Sequence, residues 1–344
     1  MPPPAFASMI RPASPSDAAI VLTNVDKRFG ATHAVRSFDL VVPRGSICGF
    51  LGPNGAGKST TIRMIMSIIY PDSGDVRVLG GSALENKDKI GYLPEERGLY
   101  RTMRVGEFLA YMGKLKGLTP SAASKRALDW LERIELPGVA KKRCQELSKG
   151  MQQKVQFIAA VLHEPGLLIL DEPFSGLDPL NARLMTRLID ELHREGRTII
   201  FSTHQMYTAE KLCDRVVLID HGQRMLDATL AEVRAAYDPR TLTVEPMSSD
   251  GFEQAVSPLA GVDGIEPERD RWKVHVAPGF DPQVVIAAIA AVVPLRSIAL
   301  KQVTLDDVFA DVVKRAGGTV PPALDGEPDE RDDASAYSQE VAGD

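Results

Sequence analysis

The sequence predicts a wound α/β domain that carries a helical insertion and is followed by a smaller α+β domain. Three observations predict it. Strand-length apolar runs at 46–51, 167–170 and 198–201 each lead into polar loop chemistry, and continuous apolar runs of this kind suit strands buried on both faces of a parallel sheet. A helical pattern follows each run, as a wound α/β fold requires. Beyond about Asp238 the pattern changes to short alternating strands and helices.

Taken in chain order, residues 1–18 are rich in Pro, Ala and Ser and read as a flexible lead-in. Residues 19–237 form the main domain, with a mainly helical subdomain inserted at about 104–164. The run at 46–51 is the first buried strand, and 61–69 reads as the helix after it. Residues 238–316 form the accessory domain. Within it, 241–245 and 272–276 alternate like strands, and 252–259 and 282–293 look helical. With strands near 262–265 and 297–300, the order is βαββαβ, a split-βαβ or ferredoxin-like arrangement. A helix at 305–315 follows. The acidic stretch 317–344 contains Pro and Gly and reads as disordered.

The bulk numbers fit this plan. The chain has 344 residues, 44% of them apolar and 25% charged, enough for one large domain and a smaller one. The formal net charge is -6, but the stretch from Gly318 onward holds eight acidic residues and one basic residue, Arg331, so the remainder is nearly neutral. A nucleic-acid binder would show a basic face, and none is expected here. Cys48, Cys144 and Cys213 are scattered without metal-ligand spacing, which fits a reducing cytoplasm. The start shows no charged segment followed by an apolar run, so no signal peptide is expected. The most apolar stretch, 284–293, lies between Pro282 and Pro294 and is far shorter than the ~20 residues of a membrane helix.

Two motifs carry chemistry. Gly52-Pro53-Asn54-Gly55-Ala56-Gly57-Lys58-Ser59-Thr60 matches G-x-x-x-x-G-K-[ST] and sits between an apolar strand and a helix. Its glycines let backbone N–H groups turn toward phosphate oxygens, and the helix N-terminus adds partial positive charge. Lys58 is placed to bind the β- and γ-phosphates, and Ser59 to ligate Mg²⁺. Downstream, Leu167-Leu168-Ile169-Leu170-Asp171-Glu172 is a buried strand that ends in two carboxylates, where open α/β sheets bind ligands. Asp171 is placed to hold Mg²⁺ through water, and Glu172 to orient or deprotonate an attacking water. Together the motifs define a P-loop nucleotidase.

Further residues narrow the class. Leu147-Ser148-Lys149-Gly150-Met151-Gln152-Gln153-Lys154 resembles the signature of the ABC ATPases, Leu-Ser-Gly-Gly-Gln. Ser175-Gly176-Leu177-Asp178-Pro179 resembles their D-loop, Thr203-His204 their switch histidine, and Ile90-Gly91-Tyr92-Leu93-Pro94-Glu95 their Q-loop. Phe29 occupies the place of the aromatic that stacks on adenine. The resemblance covers roughly residues 21–224. It departs at Lys149, where the signature has Gly, at Met151, where it has Gln, and at Glu95, where the Q-loop has Gln. A carboxylate at Glu95 can still ligate Mg²⁺, while adding negative charge beside a triphosphate.

The resemblance implies an ATP-binding and ATP-hydrolysing subunit of an ABC transporter. It implies a second ATP-binding subunit, with a homodimer expected, in which Ser148 and Gly150 of one copy reach the γ-phosphate held by the other. His204 would hydrogen-bond that phosphate and tie it to Glu172. Residues 95–103 would face a membrane partner, because the family docks it there. The extension and Thr304-Leu305-Asp306-Asp307-Val308-Phe309 resemble ATPases of the ABC-2 export type. That implies an ABC-2 type transmembrane permease and a peripheral place on the cytoplasmic face of the inner membrane. The competing expectation is a soluble ABC ATPase acting on ribosomes or DNA. Such factors usually carry two cassettes or a long coiled coil, and this chain has one phosphate loop and no sustained heptads. The remaining histidines, His33, His163, His193, His221 and His275, read as structural or surface residues.

Overall fold

The computed structural model describes residues 17–96, 98–236, 240–301 and 304–315. The expected tail at 317–344, and the expected lead-in apart from its last two residues, lie outside the described residues, as does Arg97 in the stretch expected to meet a partner. A hairpin of β1 (Ala18–Phe29) and β2 (Thr32–Pro43) precedes β3 (Ile47–Leu51), α1 (Lys58–Ile65), β4 (Ser73–Val78) and β5 (Ile90–Leu93). Three helices follow: α2 (Val105–Leu115), α3 (Pro120–Arg133) and α4 (Lys149–Val161). The chain then alternates through β6 (Leu167–Asp171), α5 (Pro179–Arg194), β7 (Thr198–Thr203), α6 (Met206–Leu212), β8 (Arg215–Asp220), β9 (Gln223–Thr229) and α7 (Leu230–Ala236). Last come β10 (Thr241–Pro246), α8 (Phe252–Val256), β11 (Val262–Glu268), β12 (Arg271–Val276), α9 (Pro282–Val292), β13 (Leu295–Leu300) and α10 (Leu305–Arg315).

The three apolar runs become inner strands of a six-stranded sheet of order β5-β6-β7-β3-β8-β9. Every residue of β3, β6 and β7 is buried, as strands covered on both faces must be. One face packs on a core that includes Val155, Ile158, Leu188 and Leu192 from α4 and α5. The opposite core joins Ile62 and Ile65 of α1 to Phe38, Leu40 and Val42 of β2. That second core is closed by a three-stranded antiparallel sheet, β2-β1-β4, which the sequence reading did not resolve. Register shifts within the β1–β2 and β1–β4 pairings interrupt the strict alternation that would have revealed it. The helix expected at 61–69 starts earlier and stops sooner. Gly57 in the left-handed region opens it at Lys58, and Ser67, at φ 55°, stands just beyond its end.

Between β5 and β6 the chain is helical, as expected. Thr119 accepts the Ala122 N–H and Pro120 takes the first position of α3, a start that leaves few backbone groups unmet. Phe157 of α4 is fully buried against Trp130 of α3, edge to face at 6.2 Å. The helices are also tied to the sheet at one carbonyl. Lys116 Nζ (3.0 Å) and His163 Nε2 (3.1 Å) both reach the oxygen of Ile90, where β5 begins on its way to Glu95.

The C-terminal strands form a separate sheet, β11-β12-β10-β13, with every neighbouring pair antiparallel. This is the split-βαβ order expected from the pattern. Leu242, Val244 and Val274 face Phe252, Val285 and Ile289 of the two helices. Phe252 stacks on Trp272 with ring centroids 5.0 Å apart. α10 leaves this unit and buries Leu305, Val308 and Phe309 in the main core beside α6. Among the described residues no helix is long and apolar enough to cross a membrane.

Burial pushes the His163 imidazole down to about 4, so it is neutral in the fold and Nε2–H donates to Ile90. An unfolded His takes its proton near 6.5, so between these values protons bind the unfolded chain preferentially. The stability due to His163 is therefore present above pH 6.5 and is lost as pH falls toward 4, by up to about 2–3 kcal/mol. In urea unfolding at stepped pH, His163→Gln, which keeps a donor, gives a shallower slope than wild type across this window.

Candidate functional site

Parallel register brings the functional loops to one edge of the sheet. Leu51 lies opposite Thr203, and Asp171 opposite Ser202, so β3, β6 and β7 end side by side. Ligands of open α/β sheets sit at such carboxyl ends. From β3 the chain enters the phosphate-loop motif. A side chain on Gly52 would meet the Ile219 carbonyl oxygen at 2.1 Å, and one on Gly57 the Ala34 oxygen at 2.5 Å. Both positions also have positive φ, 149° and 106°, so glycine alone is suited to them. No acidic residue stands in the first turn of α1, which leaves its N-terminal N–H groups, those of Lys58, Ser59 and Thr60 among them, available to an anion.

The loop forms the floor of a cavity of about 590 Å³, a volume in the range of small-molecule sites. Phe29, Asn54, Gly55, Gly57, Lys58, Ser59, Thr60, Glu95 and Glu172 line it, all expected from the sequence. Phe29 is 50% exposed at the end of β1, so it is not part of the core and its ring is open to a ligand. Lys27 Nζ lies 5.4 Å from its ring centroid. His33, Arg36 and His221 line the cavity too, and sequence reasoning had assigned them no part in it. His33 is anchored to Asp26 at 2.5 Å, a contact across the β1–β2 pair that no motif announces.

Asp171 lies beneath this floor, 1% exposed. Its Oδ1 accepts from Ser59 Oγ at 3.3 Å and from Ser202 Oγ at 2.5 Å. Its Oδ2 is buried without a hydrogen-bond partner among the described residues. An unmet buried carboxylate oxygen beside a hydroxyl fits a hard divalent cation or the water around it. Among the described residues no group of three His, Cys, Asp or Glu could cage a metal alone. Oxygens of a nucleotide and of water would have to complete the shell.

Glu172 has φ 48°, a left-handed conformation that costs a non-glycine residue about 1–3 kcal/mol. Ser202 Oγ accepts its N–H at 3.0 Å, so one hydroxyl holds both carboxylate residues. Burial raises the Glu172 pKa, and His204, with Nδ1 3.2 Å from Oε1, and then Lys58 oppose the rise. Burial lowers the Lys58 pKa, and the charges of Glu172, Asp171 and Glu95 oppose the fall. The Lys58 ammonium donates to the carbonyls of Gly52 at 2.7 Å and Pro53 at 3.0 Å. These bonds are weaker than those a phosphate would offer. The set is thus equipped to hold a polyphosphate and to aim a water at its end.

Ser148 and Gly150, though expected at the site, are not brought to this cavity, and His204 meets it only through its contact with Glu172. Ser148 caps α4 by accepting the Met151 N–H at 3.3 Å and is exposed, as is Lys149. Gly150 faces the D-loop, where an added side chain would lie 3.6 Å from the Gly176 oxygen. Gly52 and Ala56 shape the loop from behind rather than line the cavity. Ser202 is a further residue that sequence reasoning missed. The β6–β7 register, which sets it opposite Asp171, reveals its role.

Residues 35–175 match the ABC transporter family, and residues 229–313 match the family described as ATP-binding protein DrrA1-3-like, C-terminal domain. The chain is 37% identical over 295 residues to the uncharacterized ABC transporter ATP-binding protein YhaQ of Bacillus subtilis, covering 86% of this chain and 98% of the relative. It is 31% identical over 300 residues to the daunorubicin/doxorubicin resistance ATP-binding protein DrrA of Streptomyces peucetius, covering 85% and 91%. The dimeric structure of a bacterial ABC transporter cassette aligns with a TM-score of 0.57 at 25% identity, over 61% of this chain and 98% of that one. The chain belongs to the ATP-binding proteins of ABC transporters. It is an ATPase subunit with a DrrA-like C-terminal domain.

Ser202→Ala strands the Glu172 N–H and removes a donor from Asp171. It should destabilise the protein by about 1–3 kcal/mol and lower the ATPase rate, both measured on the same preparation by urea unfolding and phosphate release.

Proposed function

We infer that two copies of the chain close head to tail over two ATP molecules and so drive a separate ABC-2 type transmembrane permease. The observation that carries this reading is that Lys58, Ser59 and Glu172 line one cavity, with Asp171 bonded to Ser59 and His204 to Glu172, while Ser148 and Gly150 lie outside it. A half-site of this kind needs a second copy to complete it.

Phe29 stacks on the adenine, and the backbone from Gly52 to Thr60, with the Asn54 side chain, wraps the phosphates. Lys58 exchanges the carbonyls of Gly52 and Pro53 for the β- and γ-phosphates, a charge-assisted and therefore stronger pairing. Ser59, Asp171 and Glu95 would hold Mg²⁺, which when bound neutralises charge on the β- and γ-oxygens. Glu172 orients the attacking water and takes its proton, a task suited to a carboxylate whose pKa burial has raised. His204 hydrogen-bonds the γ-phosphate and keeps Glu172 in line. Ser148 and Gly150 of the partner copy close the γ side and exclude other water. Loss of the γ-phosphate removes the bridge between copies, the dimer opens, and the loop at 95–103 passes the motion on.

Export, rather than import, is supported by the match to a resistance ATPase over 85% of the chain, C-terminal domain included. With no membrane-crossing helix among the described residues, the subunit sits peripherally on the cytoplasmic face of the inner membrane, held by its permease.

Glu172→Gln keeps the shape of the side chain and removes the base. The variant should accumulate as an ATP-bound dimer on size exclusion and hydrolyse ATP about 100-fold or more slowly. Hydrolysis at the wild-type rate would overturn the role given to Glu172.

A further inference from the structure

Helix α4 carries Ser148 and Gly150 at its N-terminus, and its next turns grip both acidic loops of its own chain. Gln153, 1% exposed, donates from Nε2 to the carbonyls of Glu172 at 3.4 Å and Pro173 at 3.2 Å. Gln156, 5% exposed, donates from Nε2 to the carbonyl of Glu96 at 3.3 Å, next to Glu95. Residues three apart share a helix face, so the two amides lie on one side of α4.

Packing does not account for these side chains. A buried amide is unfavourable unless its donors and acceptor are met, and Gln156 Oε1 has no partner among the described residues. An apolar side chain of the same length would fill the space without that cost. What the amides add is hold on the two loops. Glu172 keeps its left-handed backbone, φ 48°, between two grips: Ser202 takes its N–H and Gln153 its carbonyl. Such a conformation persists only where its surroundings over-determine it.

We propose that Gln153 and Gln156 are positioning residues that link the two nucleotide sites of the dimer. They tie the helix end that meets the partner's nucleotide to the Glu172 turn and the Glu95 loop of the same chain. This rests on the head-to-tail reading given above. When Ser148 engages the partner's γ-phosphate, any shift of α4 is carried by the two amides to the carboxylates of its own site.

Mixed dimers of two differently tagged copies test the link, with Glu172→Gln as the silent chain that binds ATP without hydrolysing it. In one arrangement the active chain carries Gln153→Met. In the other, Gln153→Met lies on the silent chain, so the intact site faces the altered helix. The first arrangement should lose kcat about tenfold or more, as small misplacements of a reacting group do, with KM for ATP within about threefold. The second should keep the kcat of the dimer formed by Glu172→Gln and wild type. Gln156→Met should follow the same pattern. Equal loss in both arrangements means that α4 itself is damaged and overturns the proposal, as does wild-type kcat in the first. Hydrolysis by the Glu172→Gln homodimer refutes the reading of Glu172 instead, and is seen before any mixing.

Discussion

A carboxylate buried in an apolar sheet is held there by the donors it can find, and among the described residues Asp171 finds two hydroxyls. Ser59 and Ser202 take one oxygen and leave the other unmet. Everything else at the site is arranged around that imbalance. Ser202 also fixes the next residue, so the position of Glu172 depends on the same hydroxyl. The register of β6 against β7 sets that hydroxyl opposite Asp171, and the register of β3 against β7 brings the phosphate loop alongside. The catalytic geometry is a property of strand pairing before it is a property of any side chain.

The electrostatics follow from the same crowding. Lys58 is the ammonium that feels Glu172, Asp171 and Glu95 together. A triphosphate entering beside three carboxylates meets strong repulsion, which one lysine cannot cancel. A divalent cation travelling with the nucleotide would resolve the conflict, and the unmet oxygen of Asp171 would give it a place to bind. Glu95 adds to this, since a carboxylate lining the cavity would raise the dependence of binding on such a cation.

Much of this was legible in the sequence where chemistry fixes spacing. The loop from Gly52 to Thr60 cannot wrap phosphate with another arrangement of glycines, so its motif is readable at sight. The apolar runs before Gly52, Asp171 and His204 are readable because strands buried on both faces admit little else. The C-terminal βαββαβ order was legible from alternation alone. Residues that act across long loops were not. Ser202 looks like any strand serine, and Gln153 like any helix glutamine, until folding brings them to Glu172. His33 carries no signal because its partner Asp26 lies across a hairpin whose register is shifted. The β2-β1-β4 sheet was missed for that last reason as well.

The docking of α10 has a consequence for how the molecule is made. Leu305, Val308 and Phe309 belong to the same apolar core as Met206, Ala209 and Leu212 of α6, although nearly a hundred residues of chain separate them. During synthesis the ATPase half emerges with that patch uncovered, and it stays so until α10 clears the ribosome. A chain cut short at the end of the C-terminal sheet would thus be sticky rather than merely shorter, and prone to aggregate.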